Sequence, residues 1–204
     1  MMHDSAPSPR ALKKRDQILD TALKVFAREG FAETDVQVIA DLAKVGKGTV
    51  YRHFGNKREL FLATARHSVE KLSEFLREQV KEGSSSVQIL REIATSYARY
   101  FELHPESVEI MIQERASFRE QVFPTHLMHR AETRNEFETF LNQAMAAGEL
   151  RQVDVADVTN AFADLLYGSV VSGCLEGAKG SLLQRVDRAI DIFLHGLLPT
   201  AQVS

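Results

Sequence analysis

Two short amphipathic runs lie almost back to back, and together they narrow the possible folds more than any other feature of the chain. Val36, Ile39, Ala40 and Ala43 follow the i, i+3, i+4, i+7 spacing of one helix face, and Thr34 or Asp35 can cap their start. A break near Lys44–Gly46 precedes a second run, roughly Lys47 to His53, and Gly55-Asn56 interrupts the chain again. Val45, Val50 and Phe54 can join the first four apolar residues in a small shared core. That packing leaves Lys47, Thr49, Arg52 and His53 mostly outward. Two short helices joined by such a turn make a helix-turn-helix, whose second helix enters the major groove of DNA.

The flanking sequence is helical as well. A long amphipathic helix is expected from about Leu12 to Arg28, with Leu12, Ile18, Leu19, Ala22, Leu23, Val25 and Phe26 as its apolar face and Gly30 closing it. From Lys57 a helix continues to about Lys81, ahead of the linker Gly83-Ser84-Ser85-Ser86. Further helices are expected over about 86–103, after His104-Pro105, and over about 121–147, 154–177 and 180–197. Strand-like alternation is scarce, so the fold class is all-α, with about nine helices. Residues 1–10 read as a disordered tail, 11–56 as the helix-turn-helix domain and 57–204 as a second helical domain, for which the family resemblance described below implies effector binding and dimerisation.

The net charge of -3 looks wrong for a partner of nucleic acid until it is mapped along the chain. Residues 1–60 hold 11 Lys/Arg against 8 Asp/Glu, whereas the remaining 144 hold 14 against 20. A basic face on an acidic body binds polyanions at one end only. The single cysteine, Cys174, rules out an intrachain disulfide and a multi-cysteine zinc site, and it reads as a small buried hydrophobe. No run approaches the length of a membrane span and no signal pattern opens the chain, so a cytoplasmic protein without membrane contact is expected.

Gly46-Lys47-Gly48-Thr49 invites a second reading, because glycines beside lysine and threonine also build nucleotide-phosphate loops. That loop needs Gly five residues before its second Gly, Ser or Thr after the Lys, and a preceding strand. Asp41 and Gly48 occupy those positions and the context is helical, so the nucleotide reading fails. The duplex reading uses the same residues well. Gly48 keeps the helix start low, Tyr51 offers a hydroxyl on a rigid ring, and Lys57 opens a helix whose free N–H groups favour an anion.

The run ILDTALKVFAREGFAETDVQVIADLAKVGKGTVYRHFGNKREL resembles the DNA-binding domain of the TetR/AcrR family of bacterial regulators. The likeness rests on Gly30-Phe31, Thr34, Ile39-Ala40, Lys47 through Phe54, and Lys57, and it covers about a quarter of the chain. It implies phosphate contacts for Thr34, Tyr51, His53 and Lys57, and groove contacts for Lys47, Gly48, Thr49 and Arg52. Two positions depart from the family pattern: Lys44 stands where Gly is usual in the turn, and Gly46 where Ser or Thr caps the recognition helix. Lysine tolerates a left-handed turn less well than glycine does.

The resemblance also implies a homodimer built from the last two helices, where Gly168, Ser169, Ser172 and Gly173 would let a helix approach closely. It implies a small-molecule pocket in the C-terminal domain, with Tyr97, Phe101, Met111, Phe118 and Phe123 as candidate lining. Met128, Phe137, Phe162 and Tyr167 complete that set, although such stripes at helical spacing are usually core. Arg10, Lys13, Lys14 and Arg15 could reach a DNA backbone as an arm or could simply open a solvated helix. His126, His129 and Glu132 share a helix face, a pattern more often surface polarity than metal ligation.

No catalytic residue, metal or cofactor is therefore expected; the expected partners are double-stranded operator DNA, an unknown small-molecule effector and a second copy of the chain. The reading is a repressor released from a palindromic operator by its effector, with the helix that begins at Lys57 as the link between DNA and pocket. An activator or an effector-independent regulator is the alternative. A helical enzyme would need convergent acid–base residues that the sequence does not offer.

Overall fold

The computed structural model describes residues 9–80, 83–118, 124–175 and 181–197, and among them it contains nine α-helices and no strand. Helix α1 spans Pro9–Glu29, α2 Val36–Leu42, α3 Lys47–Phe54 and α4 Lys57–Gln79. Ser86–Leu103 forms α5, Glu106–Ser117 α6, Thr125–Ala146 α7, Val155–Leu175 α8 and Leu182–Leu197 α9. The first helix starts a turn earlier than its apolar stripe suggests. Proline suits a first helical position, where an N–H would lack a partner anyway, so Pro9 and Arg10 are helical and Leu12 is half exposed rather than core. Gly30 closes α1 as expected, at φ 84°, with its N–H donating to the Phe26 carbonyl at 2.8 Å.

The chain divides into two compact units, and the division falls inside α4 at Glu70 rather than after Asn56. Unit one comprises the residues up to Glu70 together with Glu109–His126. Its core joins Ile18, Leu19, Ala22 and Phe26 of α1 to Val36, Ile39 and Ala40 of α2, Val50 and Phe54 of α3, and Leu60 and Phe61 of α4. Helix α6 adds Ile110, and Phe118 just beyond it packs its ring 4.9 Å from Phe31 and 5.6 Å from Phe61. Gln113 also donates to the Phe26 carbonyl at 3.0 Å, and His67 on α4 meets Asp20 on α1 at 2.9 Å.

Unit two comprises Lys71–Val108 and the residues from Leu127 onward. Within it α9 packs on α5 and on α8. Every fourth residue of α9 is apolar and buried, namely Leu182, Val186, Ile190 and Leu194, and these meet the buried stripes of α5 (Leu90, Ala94, Ala98) and α8 (Val158, Phe162, Leu166, Val170). Arg91 on α5 reaches Asp187 at 3.3 Å and Asp191 at 2.9 Å on α9. A reciprocal capping box of Ser85 and Gln88 starts α5.

Candidate nucleic-acid interface

The geometry of the turn between α2 and α3 follows from how α2 ends. The Val45 N–H donates to the Ala40 carbonyl at 2.9 Å and the Lys44 N–H to the Asp41 carbonyl at 3.1 Å. This pair of bonds is the Schellman closure, which requires a left-handed residue at Lys44. Lys44 takes that conformation at φ 53°, as the one non-glycine residue with positive φ among those described. The Ala43 carbonyl is covered from α1 by the Gln17 amide at 3.2 Å. The missing glycine is thus tolerated: the bonds hold the turn shape and the lysine side chain stays in solvent.

Gly46 then starts α3 in an extended conformation, with no side-chain cap, and accepts the Thr49 N–H at 2.8 Å. Val50 and Phe54 point into the core, so Gly48, Tyr51 and Arg52 face solvent and Lys47, Thr49 and His53 are half-buried. Nothing lies within 4 Å of where a Cβ on Gly48 would be, so the protein's own packing does not require glycine there. Lys57 opens α4; its ammonium donates to the Ala32 carbonyl at 2.7 Å and lies 5.1 Å from the Phe31 ring centre. Arg15 lies over the Phe54 ring at 5.7 Å. Burial, reinforced by the positive charges of Arg52, Arg15 and Lys14, pushes the His53 imidazole below the usual histidine range. Arg15 and Lys14 therefore stand beside the end of α3 on a helix, not on a loose arm.

Thr34 does not fit its expected part. It is buried, and its hydroxyl donates to the Gly30 carbonyl at 2.7 Å, so the side chain serves the turn after α1 rather than a phosphate. Asp35 caps α2 instead, accepting the Gln37 N–H at 2.8 Å. The same carboxylate oxygen accepts from the Lys47 ammonium at 2.9 Å. The Gln37 bond first and the Lys47 ammonium second hold the Asp35 carboxyl below its ordinary range, and Asp35 raises Lys47 in turn. Sequence reasoning missed this pairing; its signal is an acid at the cap of the first helix and a lysine at the first position of the second.

The nine candidate pocket residues do not form one set. Phe118 belongs to the core of unit one and Met111 is buried on α6 in the same unit. Phe123 lies outside the described residues, and Met128 is exposed. In unit two, Tyr97 stands 4.9 Å from Phe101, and Phe137 stacks on Phe162 at 5.3 Å. Burial raises the Tyr97 hydroxyl well above the usual tyrosine range, with Tyr167 nearby adding to the effect. Gly173 is not spare for a partner helix, because a Cβ there would sit 3.0 Å from Leu182 Cδ1 of the same chain. An added Cβ on Gly168 would meet nothing within 4 Å, and Ser169 and Ser172 are half-buried.

His129 meets the Ser73 hydroxyl at 2.5 Å and Glu132 at 3.7 Å, a hydroxyl–imidazole–carboxylate line. Ser73 sits in the last third of α4. Cys174 is half-buried.

Comparison with known proteins places this geometry. Residues 18–64 match the family model for bacterial regulatory proteins of the tetR family, and residues 83–170 match that for the tetracyclin repressor-like C-terminal domain. The chain belongs to the TetR family. Like its relatives, this TetR-family chain is a DNA-binding transcriptional regulator. It is 32% identical over 105 residues to the transcriptional repressor NicS of Pseudomonas putida, an alignment covering 52% of this chain and 50% of NicS. It is 23% identical to the transcriptional regulator LuxR of Vibrio harveyi over 94% of this chain and 96% of LuxR. Among solved structures it superposes on the fatty acid degradation regulator FadR of Bacillus halodurans with a TM-score of 0.78 at 19% identity, covering 93% of this chain and 97% of that one. FadR of Bacillus subtilis, in complex with stearoyl-CoA, gives 0.77 at 20% identity, covering 88% and 97%. Among the described residues no helix is long and apolar enough to cross a membrane.

Proposed function

We propose that the chain is a homodimeric repressor that binds a palindromic operator through α3 and leaves it when a small molecule binds unit two. The observation that carries the reading is the Schellman-closed turn ahead of an α3 that turns Gly48, Tyr51 and Arg52 to solvent. The α3 face divides its work by chemistry. Arg52 can present its planar fork to guanine in the groove, while the Tyr51 hydroxyl and the remaining Lys57 hydrogens suit phosphate oxygens. Gly48 has no internal reason to lack a side chain, and a bare backbone there allows close approach of the duplex. One α3 reads one half-site, so a two-fold dimer implies half-sites about 34–36 Å apart or a multiple of that.

Pairing through α8 and α9 is supported by Ile192 and Leu175, two large apolar side chains left exposed on those helices, and by the open surface above Gly168. For the effector, the aromatic pairs Tyr97–Phe101 and Phe137–Phe162 of unit two favour an apolar or amphipathic molecule. Acyl-CoA thioesters are the first series to screen, given the stearoyl-CoA held by the Bacillus subtilis FadR. An effector that releases DNA must bind the DNA-free form more tightly, and reciprocity requires DNA to weaken its affinity by the same factor.

Selection from a randomised duplex pool, followed by titration, tests the reading. A palindrome should be enriched, and Arg52→Ala should lose preference for it over random duplex while keeping random binding. Enrichment of no sequence would refute it, and equal losses on both duplexes would move Arg52 to the backbone contacts.

A further inference from the structure

We propose that Asp35 is a specificity-positioning residue, which withholds Lys47 from the DNA backbone and leaves it available to base edges. This rests on the reading of α3 as the DNA-contacting helix. Two lysines stand at helix starts on this surface, and they are tethered in chemically different ways. Lys57 is held by the neutral carbonyl of Ala32 at 2.7 Å and feels Asp35 only through space, so its ammonium is available to a phosphate. Lys47 is held at 2.9 Å by a full negative charge, and the carboxylate that holds it is fixed in turn by the Gln37 N–H at 2.8 Å. Neither α2 nor α3 carries an acid of its own in the first turn, so Asp35 is the carboxylate that acts at both of those starts.

The consequence for DNA follows from the charges. A phosphate brought up to Lys47 also meets the Asp35 carboxylate, and the repulsion offsets the attraction. The O6 and N7 acceptors of guanine are uncharged, so they can take hydrogens from Lys47 without that penalty. Random-sequence binding consists almost wholly of phosphate contacts, whereas operator binding adds base contacts. A carboxylate in this place therefore weakens random binding more than operator binding. Discrimination arises here from a built-in repulsion as much as from attraction.

Asp35→Asn tests this, because asparagine caps a helix as well as aspartate does but carries no charge. The probes are a random-sequence duplex and the duplex that the wild-type protein enriches from a randomised pool, each titrated across a salt series. On the random duplex the variant should show a log–log salt slope steeper by about 0.9, so that its gain in affinity is about threefold larger at ~50 mM than at ~200 mM salt. The enriched-to-random ratio should fall. On a Lys47→Met background, Asp35→Asn should steepen nothing further. Helical circular dichroism and thermal midpoint equal to wild type keep the comparison one of folded proteins. An unchanged slope overturns the proposal, as does a steepening that persists without Lys47. If the wild type binds duplex but enriches no sequence, the operator reading fails while the salt-slope comparison still decides the role of Asp35.

Discussion

Replacing Lys44 with glycine should stabilise the protein, although lysine at this exposed place makes no contact that is lost. The turn needs a left-handed residue, and Lys44 supplies it at φ 53°. For a residue with a Cβ that conformation costs about 1–2 kcal/mol. Glycine removes the cost but loses more freedom on folding, which returns about 0.5–1 kcal/mol. The net gain is about 0.5–1 kcal/mol, or roughly 2 °C in the melting midpoint of a chain of this size. Thermal unfolding followed by circular dichroism measures it. Lys44→Ala separates charge from strain, since alanine removes the ammonium but keeps the Cβ and should show no gain. Lys44→Asn should fall between the two, because asparagine enters the left-handed region more readily than lysine. If alanine and glycine stabilise equally, the effect is electrostatic and the strain argument is wrong.

Three further outcomes follow from the structure. His53 is held below the ordinary histidine range in the free protein, and a neighbouring phosphate would raise it, so DNA affinity at fixed ionic strength should increase as pH falls from ~8 to ~6. Affinity should level off once the free imidazole is also protonated, and His53→Gln should flatten the profile; a wild-type profile already flat removes His53 from the backbone contacts. Gly168→Leu should leave the fold intact and shift sedimentation towards monomer, whereas Gly173→Leu should force α8 from α9 and cost about 1–3 kcal/mol in urea unfolding. A Gly168→Leu dimer as tight as wild type would place the subunit contact elsewhere. Phe118→Ala should destabilise unit one by about 3 kcal/mol or more and abolish DNA binding, where a pocket residue would alter neither.

The helix order and the helix-turn-helix were legible because periodicity and punctuation report local structure directly. Val36, Ile39, Ala40 and Ala43 describe one face, and Gly30 and Gly55 stop their helices at positive φ. What stayed hidden depends on partners distant in sequence. An aromatic such as Phe118 has the same spacing whether it lines a pocket or fills a core, and only the rings of Phe31 and Phe61 around it decide. Gly173 reads as a docking surface until Leu182 is found against it. Thr34 carries the hydroxyl a phosphate contact wants, but the Gly30 carbonyl already takes it. The bond from Lys47 to Asp35 crosses the whole of α2, beyond the reach of any i, i+4 rule.

The return of α6 to the core of unit one bears on how this protein can be cut and recombined. A fragment ending at Glu70 would strip Ile110 and Phe118 from Phe31 and Phe61, and one ending after Asn56 would lose Phe61 as well, leaving large apolar side chains open to water. Such a fragment should aggregate or melt early, although the longer of the two contains every residue of the DNA-facing surface. A chimera joining this reading head to the sensor of another relative would need α6 to travel with the head, stitched in as an insertion rather than fused end to end. The seam that evolution or an engineer can use therefore runs through two places in the chain at once, and exchanging the sensor without the head requires two crossovers instead of one.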